Sequence, residues 1–353
     1  RKLFDVSEVT ISGELLDGKI QSSSNGNPRL IFDLQNTTDM TVQTQMLSLQ
    51  SDSQSKSWIT QDIIAEHSSF DVDTNFELTS SGSPVILYNN DGLKIRTYSG
   101  YTGVGSEIIT TAGDIEHISS VTGLSGESYI AYYSPGTNKL YFSELTETGW
   151  SEQTVAIDAN ISSPFSLMLN NSGNPVIVYL DDVNKELNVA TFDLSWSVTN
   201  ITTSGLVNSP SFSSLIDSND NIVISAMLDD GISNNLSEIT INGSIIESTF
   251  ISVESDVATN LSLIIDDDNG LILSSLTSSG SLIVYEKANN SEIWNSILLP
   301  QPQQVGIANT IQAIGGAVPI IAVNSELDTI YAKMSGNWQV VGDSIGSGME
   351  EFT

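Results

Sequence analysis

The chain contains no cysteine and is poor in positive charge and in histidine. Without cysteine it can form no disulfide, thiolate nucleophile or cysteine-ligated zinc site. Its 11 Lys and Arg residues stand against 43 Asp and Glu residues, for a formal net charge of −32. A chain of this charge is repelled by nucleic acid and by anionic membrane surfaces. We therefore expect neither of them as a partner.

Long hydrophobic runs and helical patterns are absent from the sequence as well. No apolar run approaches the roughly 20 residues of a membrane-spanning helix, and no stretch shows an amphipathic helix with its capping residues. The chain starts at Arg1 rather than at Met, which favours a processed or truncated chain. These absences predict an all-β protein with no direct membrane span.

A repeated sequence motif is the main indication of the fold. Residues 163–201 contain an apolar strand, a Gly-Asn-Pro turn, a second strand, an Asp/Asn turn, a third strand, and a Trp that opens a fourth. Degenerate copies follow one another at spacings of 44 to 56 residues, which makes seven units. Five of the units carry a Trp at the same point: Trp58, Trp150, Trp196, Trp294 and Trp338.

Four short strands in a repeat of about 40–50 residues are what a β-propeller blade requires. The fold prediction is therefore an all-β, seven-bladed β-propeller of four-stranded antiparallel blades, with each Trp packed against an adjacent blade. The whole chain, 1–353, is expected to be one domain. The predicted blades are 15–66, 67–115, 116–160, 161–206, 207–254, 255–304 and 305–345, and residues 1–14 are the candidate for a strand that closes the ring. A five-stranded last blade or a longer parent chain are the alternatives.

The phrase GNPVIVYLDDVNKELNVATFD, followed by Trp196, resembles a repeat of secreted bacterial and archaeal proteins. Such chains are similar to sialidase-like or lectin-like seven-bladed propellers. The resemblance covers essentially the whole chain and implies a fold rather than a function, because propellers host many unrelated activities.

The residues of known catalytic sites are scarce. A sialidase needs three converging arginines, and this chain has only Arg1, Arg29 and Arg96, without the Ser-x-Asp-x-Gly-x-Thr-Trp turns of that family. The two histidines, His67 and His117, stand apart from any nucleophile elbow. We assign no catalytic residue, although 43 acids leave glycosidase chemistry by two carboxylates open.

Two turns concentrate oxygen ligands. Because Ca²⁺ takes six to eight oxygens, the candidate metal ligands are Asp217, Asn219, Asp266 and Asp268. Both turns join a first to a second strand, where other units have Ser and Gly, so ordinary turn chemistry explains them equally well.

The loops between second and third strands lie on the face where propellers usually bind. Acids in these loops are the candidate ligand-binding residues, expected to be exposed: Asp91, Asp181, Asp182, Asp229 and Asp230. Solvated turns are the alternative interpretation.

Asn-x-Ser/Thr triplets provide candidate glycosylation sites at Asn36, Asn160, Asn170, Asn200, Asn235, Asn242, Asn260 and Asn289. In a chain this rich in Ser, Thr and Asn, chance explains such triplets equally well. Together with the absence of Cys and the scarcity of Lys they favour an extracellular protein of a cell or virion surface.

The functional expectation is a non-enzymatic propeller in surface assembly, adhesion or recognition, whose partners are other protein chains or surface glycans within a larger assembly. The alternative is a carbohydrate-binding or glycan-hydrolysing propeller. A pocket lined by carboxylates and aromatics would favour the alternative.

Overall fold

The computed structural model describes 30 β-strands, and every regular element in the described residues is a strand. The described residues are 9–10, 14–22, 28–35, 42–51, 56–67, 74–78, 84–89, 92–99, 102–110, 115–123, 126–201, 211–229, 234–253, 259–266, 268–277, 281–299, 308–314, 318–324, 329–334, 336–342 and 351–352. No helix long and apolar enough to cross a membrane occurs in this part of the chain.

The chain divides into two compact units, and the first comprises residues 1–159 and 348–353. It contains sheets 1, 2 and 3 and one two-stranded sheet. The pair is β1 (Val9–Thr10) with β30 (Glu351–Phe352). Sheet 1 is β2 (Glu14–Ser22), β3 (Pro28–Gln35), β4 (Val42–Ser51) and β5 (Lys56–His67). Sheet 2 is β6 (Thr74–Leu78), β7 (Pro84–Asn89), β8 (Leu93–Ser99) and β9 (Thr102–Thr110). Sheet 3 is β10 (Glu116–Thr122), β11 (Ser128–Ser134), β12 (Lys139–Thr146) and β13 (Gly149–Ile157).

The second unit comprises residues 160–347 and contains sheets 4 to 7. Sheet 4 is β14 (Ser166–Leu169), β15 (Pro175–Asp181), β16 (Glu186–Phe192) and β17 (Trp196–Asn200). Sheet 5 is β18 (Phe212–Ile216), β19 (Ile222–Asp229), β20 (Asn234–Asn242) and β21 (Ile245–Val253). Sheet 6 is β22 (Thr259–Ile265), β23 (Leu271–Leu276), β24 (Leu282–Lys287) and β25 (Asn295–Leu298). Sheet 7 is β26 (Ala308–Ile314), β27 (Val318–Asn324), β28 (Thr329–Met334) and β29 (Asn337–Gly342).

Within each sheet the four strands are antiparallel and adjacent in chain order. The first strands of successive sheets lie next to one another inside each unit: β2, β6 and β10 in the first, and β14, β18, β22 and β26 in the second. The described residues thus form seven four-stranded antiparallel sheets, and the predicted all-β fold class is confirmed. The two terminal strands, β1 and β30, pair with each other in a sheet of their own.

The second strands form the core. Every residue of β15 and β23 is buried, so neither face of these strands lies in solvent. This burial explains why the sequence shows continuous apolar runs here instead of alternation. One cluster joins sheets 4 and 5 through Val178, Val189, Ile224 and Ile239.

Serine hydroxyls connect the first strands of sheets 5 and 6. The backbone N–H groups of Leu261 and Leu263 each donate a hydrogen bond of 3.0 Å, to the Oγ atoms of Ser211 and Ser213 respectively. β22 is the edge strand of its sheet, so the N–H groups on its outer side have no partner strand in that sheet. The serine hydroxyls accept hydrogen bonds from two of these N–H groups.

All five tryptophans occupy one position in the sheets, as the repeat predicts. Each lies at or immediately before the start of a fourth strand, in β5, β13, β17 and β29 and just before β25. The cross-strand register agrees: Trp58 is opposite Leu49, Trp150 opposite Leu145, Trp196 opposite Phe192 and Trp338 opposite Lys333. Trp294 follows in the same register, because its neighbour Asn295 is opposite Glu286.

Two of these tryptophans contact the preceding sheet, Trp294 through Glu238 and Trp338 through Glu286, which confirms the predicted packing for them. Trp294 packs on a cluster that includes Val223 and Leu236 of sheet 5, and Trp338 on one that includes Leu282 and Val284 of sheet 6. Trp150 packs on a cluster that residues of sheets 2 and 3 form together. Trp196 lies against Phe192 of its own sheet, with ring centroids 5.4 Å apart and a 57° tilt.

Replacing Trp294 with Ala should lower the free energy of unfolding by about 3 kcal/mol, because the indole fills the space between sheets 5 and 6. Trp294→Phe retains a ring but loses the indole N–H donor, and should lower it by about 1 kcal/mol. Urea unfolding followed by circular dichroism measures both changes. Ile293→Ala is the matched control, because the adjacent Ile293 side chain is 68% exposed. Equal losses for Trp294→Ala and Ile293→Ala would show that the indole adds nothing to stability.

Alkaline pH should destabilise the fold through Tyr179. Burial, and after it the negative charges of Asp181 and Glu186, raise the pKa of its hydroxyl to about 12. In the unfolded chain a tyrosine pKa is about 10, so between these values the unfolded state releases a proton that the folded state retains. The contribution of Tyr179 to the free energy of unfolding is therefore fully present below a pH of about 10 and is lost as the pH rises towards 12. Melting temperatures between pH 9 and 12 measure the decline, and Tyr179→Phe should make it less steep. An unchanged slope in that variant would contradict the assignment.

Candidate functional site

Two grooves open between adjacent sheets of the second unit. Both lie at the end of the sheets where first strands turn into second strands and third strands turn into fourth strands. The polar groove, between sheets 5 and 6, has a volume of about 220 Å³. The apolar groove, between sheets 4 and 5, has a volume of about 500 Å³.

The polar groove is defined by two turns and two charged side chains. The β18–β19 turn contributes Asp217 and Asn219, and the β24–β25 turn contributes Asn289. Glu238 of β20 and Lys287 of β24 line its inner part, above the apolar residues Val223, Ile265 and Leu271. The groove therefore offers hydrogen-bond donors and acceptors at its mouth and an apolar surface beneath them.

Lys287 and Glu238 form an ion pair across the two sheets. The Lys287 ammonium donates to both carboxylate oxygens of Glu238 at 2.6 Å, and the side chains are only 17% and 6% exposed. The Trp294 indole donates to the same carboxylate at 2.9 Å, and Thr240 Oγ1 donates at 3.2 Å. Lys287 also lies 5.6 Å from the centroid of the Trp294 ring. Three donor groups thus make four hydrogen bonds to the Glu238 carboxylate, two of them from Lys287.

The same arrangement recurs one sheet later. Trp338 donates to Glu286 Oε1 at 2.7 Å, and Lys333 lies 2.9 Å from Glu286 Oε2. In each case a Lys and a Trp that face each other across two strands of one sheet contact a Glu on the third strand of the preceding sheet. Sequence reasoning missed this contact, because each Glu and its Lys are more than 45 residues apart.

The predicted metal ligands lie in two turns of similar construction. Asp217 Oδ1 accepts hydrogen bonds from the backbone N–H groups of Asn219 and Asn221, at 2.8 and 2.9 Å. Asp266 Oδ1 accepts them from Asp268 and Gly270, at 3.0 and 2.7 Å. These are Asx turns, in which the carboxylate stabilises the hairpin. Among the described residues no group of three or more His, Asp or Glu side chains is arranged to hold a metal ion, and calcium binding stays a prediction.

Three of the predicted ligand-binding acids, Asp181, Asp182 and Asp229, lie at the opposite end of the sheets, where second strands turn into third strands. Asp181 is only 7% exposed, so the expected exposure is wrong for it. Its carboxylate accepts from the backbone of Val183 and Asn184 at 3.1 and 3.0 Å, and from the Asn184 side chain at 2.9 Å. Asp182 Oδ2 accepts from Ser162 N at 2.8 Å and from Ser162 Oγ. Asp229 is half-buried, and Asp91 and Asp230 lie outside the described residues. Whether any of them binds a ligand stays a prediction.

The candidate glycosylation sites differ in exposure. Asn200, Asn242, Asn260 and Asn289 are exposed, whereas Asn160, Asn170 and Asn235 are half-buried. Asn170 Oδ1 accepts from the backbone of Ser172 and Asn174 at 3.0 and 2.8 Å, so it holds a turn. Asn36 lies outside the described residues. Glycosylation stays a prediction for the exposed asparagines.

The apolar groove is lined by core side chains of sheets 4 and 5, among them Val176, Val189, Ile222 and Ile241. Phe192 and Ile246 stand nearer its opening, with Asn170 and Asp220 at the rim. Asp220 Oδ1 accepts a 2.7 Å hydrogen bond from the backbone N–H of Asn171, which connects the two sheets at this end. The groove is thus apolar inside and polar around its mouth.

Neither a family model nor a curated protein sequence matches this chain. Solved structures do match it in fold. A polysaccharide lyase of a new family, PL25, described as an ulvan lyase, aligns with a TM-score of 0.59 at 10% identity over 96% of this chain and 98% of that chain. The Aleuria aurantia lectin AAL, in a mutant form in complex with Fucα1-6GlcNAc, aligns at 0.51 and 11% identity over 96% and 99%. A mutant of AofleA from Arthrobotrys oligospora aligns at 0.52 and 13% over 80% and 88%. These neighbours are β-propellers. At such low identity their similarity establishes only the fold of this chain.

Removing the Asp182 carboxylate should destabilise the second unit. Asp182→Ala leaves the N–H and hydroxyl of Ser162 without their acceptor, and we expect a loss of about 1–2 kcal/mol in the free energy of unfolding. Urea unfolding measures it, with Asp193→Ala as the control because Asp193 is exposed in the next turn of the same sheet. An identical unfolding midpoint for the two variants would favour a ligand-binding role for Asp182 over the structural one.

Proposed function

We propose that this protein is a carbohydrate-binding β-propeller and that the polar groove holds a neutral sugar. The observation that carries the proposal is the composition of the groove, in which side-chain amides, hydroxyls and one ammonium surround a small cavity with an apolar base. A sugar ring presents hydroxyls around its edge and C–H groups on its faces, so it requires both kinds of surface. The volume of about 220 Å³ accommodates one ring rather than a long chain.

Charge selects the class of sugar. Within the groove Glu238 is paired with Lys287, which leaves Asp217 as the excess charge. The whole chain carries −32, so an acidic polysaccharide would be repelled during approach. Neutral glycans meet no such barrier.

Binding without turnover is the function that the groove supports best. The oxygens of Glu238 accept from Lys287, Trp294 and Thr240, so this carboxylate holds Lys287 in place and does not face a glycosidic bond. Asp217 is engaged in its own turn. Two of the structural neighbours, a lectin and a lyase, fit recognition of carbohydrate in general. Recognition of glycans on a cell or virion surface, by an extracellular protein, is the setting we propose.

A glycan array tests the proposal, with neutral and acidic glycans at physiological ionic strength. We expect binding to at least one neutral glycan and a tenfold or greater loss of affinity in the double variant Asn219→Ala/Asn289→Ala, which removes two exposed amides of the groove mouth. A tenfold loss corresponds to about 1.4 kcal/mol, and calorimetry with the selected glycan measures it. Asn242→Ala is the matched control, because this exposed asparagine in the β20–β21 hairpin lies outside the groove.

Two results would overturn the proposal. One is the absence of binding to any glycan on the array. The other is a glycan affinity that the double variant leaves unchanged. Hydrolysis of the bound glycan, measured by release of reducing ends, would replace a binding function with an enzymatic one.

A further inference from the structure

The sequence contains three Asn-Gly pairs, and two of them lie in described turns of the second unit. Asn242-Gly243 belongs to the β20–β21 hairpin, and Asn269-Gly270 to the β22–β23 turn. The third pair, Asn25-Gly26, lies outside the described residues. An Asn side-chain amide that precedes Gly is open to attack by the next backbone nitrogen, because Gly has no Cβ to hinder the approach. The two described pairs differ in the surroundings that control this reaction.

The β20–β21 hairpin leaves the first pair accessible. Asn242 is exposed and is opposite Ile245, so Gly243 and Ser244 alone make the loop. Gly243 has a φ of +58°, and nothing lies within 4 Å of the place where a Cβ would be. The N–H of Gly243 makes no hydrogen bond with any described residue. Its nitrogen is thus open to water and able to react.

This hairpin also lies at the outer end of its sheet. β21 is the last strand of sheet 5 and pairs with β20 alone, and residues 242–250 are all exposed. The pair of Asn242 and Ile245 is the last of its ladder, and the ends of elements open at the lowest cost in free energy. Ring closure at Asn242 requires rotation about its own backbone bonds, which such local opening permits.

Asn269 has the same neighbour in sequence but is held in its turn. The N–H of Gly270 donates a 2.7 Å hydrogen bond to Asp266 Oδ1, and the N–H of Asn269 donates to the Asp266 carbonyl at 3.0 Å. A Cβ at Gly270 would lie 3.0 Å from both Asp266 carboxylate oxygens and from the Lys287 carbonyl. The nitrogen that would attack is therefore engaged and crowded, and the adjacent carboxylate opposes the loss of its proton.

We propose that Asn242 is a site of spontaneous covalent modification, which converts this asparagine into aspartate or isoaspartate. The Gly243 nitrogen gives up its proton and bonds to Asn242 Cγ, while the Cγ–Nδ2 bond breaks and the amide nitrogen leaves as ammonia. Water then opens the cyclic succinimide. Opening at Cγ gives aspartate, and opening at the main-chain carbonyl carbon gives isoaspartate, whose backbone runs through the former side chain. The net reaction consumes water, releases ammonia and involves no redox step.

Both products change the hairpin. Each adds a negative charge, and isoaspartate adds an atom to the main chain beside the last pair of the ladder. The next pair is Ile241 with Ile246, which has the position that Trp294 has in sheet 6. Asn242 also begins a glycosylation triplet, and a glycan on Nδ2 would occupy the nitrogen that must leave. Glycosylation and this modification therefore exclude each other, and neither depends on the carbohydrate proposal.

Peptide mapping by mass spectrometry tests the proposal on folded protein from a host that does not glycosylate, incubated at mildly alkaline pH. A protease specific for glutamate releases residues 239–247 and 255–286, which contain one Asn-Gly pair each. We expect conversion at Asn242 to be at least about tenfold faster than at Asn269, because Asn269 must first lose the hydrogen bonds to Asp266. Isoaspartyl methyltransferase, which labels isoaspartate, should label residues 239–247 first.

Two comparisons separate the effect of the fold from that of the sequence. In urea the fold is lost, and the rates at Asn242 and Asn269 should converge. In folded Asp266→Ala the Gly270 N–H loses its acceptor, so conversion at Asn269 should accelerate. Asn170→Ala is the matched control, because Asn170 Oδ1 holds the corresponding turn of sheet 4, and it should leave the rate at Asn269 unchanged.

Conversion at Asn242 that is no faster than at Asn269 in the folded protein would overturn the proposal. A difference in rate that persists in urea would overturn it too, because its cause would then lie in the local sequence and not in the two turns. If Asp266→Ala does not fold, the comparison of folded and urea-unfolded protein decides.

Discussion

Within each unit, the packing of each sheet against the one before it is the constraint on which the structure depends. A four-stranded sheet whose second strand is mainly apolar on both sides is not stable alone in water, because both of its faces must be covered. In three described cases the tryptophan that opens the fourth strand, Trp150, Trp294 or Trp338, packs on a core cluster that its sheet shares with the preceding one. Where a Lys lies opposite the tryptophan, as at Trp294 and Trp338, a Glu of the preceding sheet joins the contact. The sheets are thus held by one repeated contact whose chemistry varies from apolar to ionic.

The sequence predicts this architecture well, for a physical reason. A repeat that packs on copies of itself must present the same kinds of side chain at the same places, so turns, second strands and tryptophans recur at readable spacings. The spacing of the five tryptophans by itself marks the start of the fourth strand in five sheets. The fold class follows from that register, since repeated units of four short strands bury their apolar second strands when successive sheets stack face to face.

The two grooves and the roles of the candidate site residues were harder to predict from the sequence. They depend on contacts between neighbouring sheets, and one groove depends on a small side chain at the position of a tryptophan. Asp181 and Asp182 look like ligand-binding acids in the sequence, but their oxygens accept hydrogen bonds from nearby backbone and side-chain groups. A sequence shows the acid and not the donors around it. The sequence does contain a weak indication of the Glu238–Lys287 pair. Lys287 and Lys333 hold equivalent positions in their repeats, and the repeat before each of them has a Glu in its third strand. The apolar groove is also indicated in the sequence, because the repeat that forms sheet 5 lacks the tryptophan of its neighbours.

The serine hydroxyls that accept from the edge of β22 have a consequence for association between molecules. The edge of a sheet attracts foreign strands wherever its N–H groups are unpaired, and Ser211 and Ser213 cap two of them on the inner side. The outer edges are different: β21 and β25 end their sheets and expose Ile245, Phe250 and Leu298. Mutual repulsion at a charge of −32 keeps such edges of two molecules apart. Because salt screens that repulsion, high ionic strength or a bound polycation would allow edge-to-edge strand pairing to begin at these outer strands.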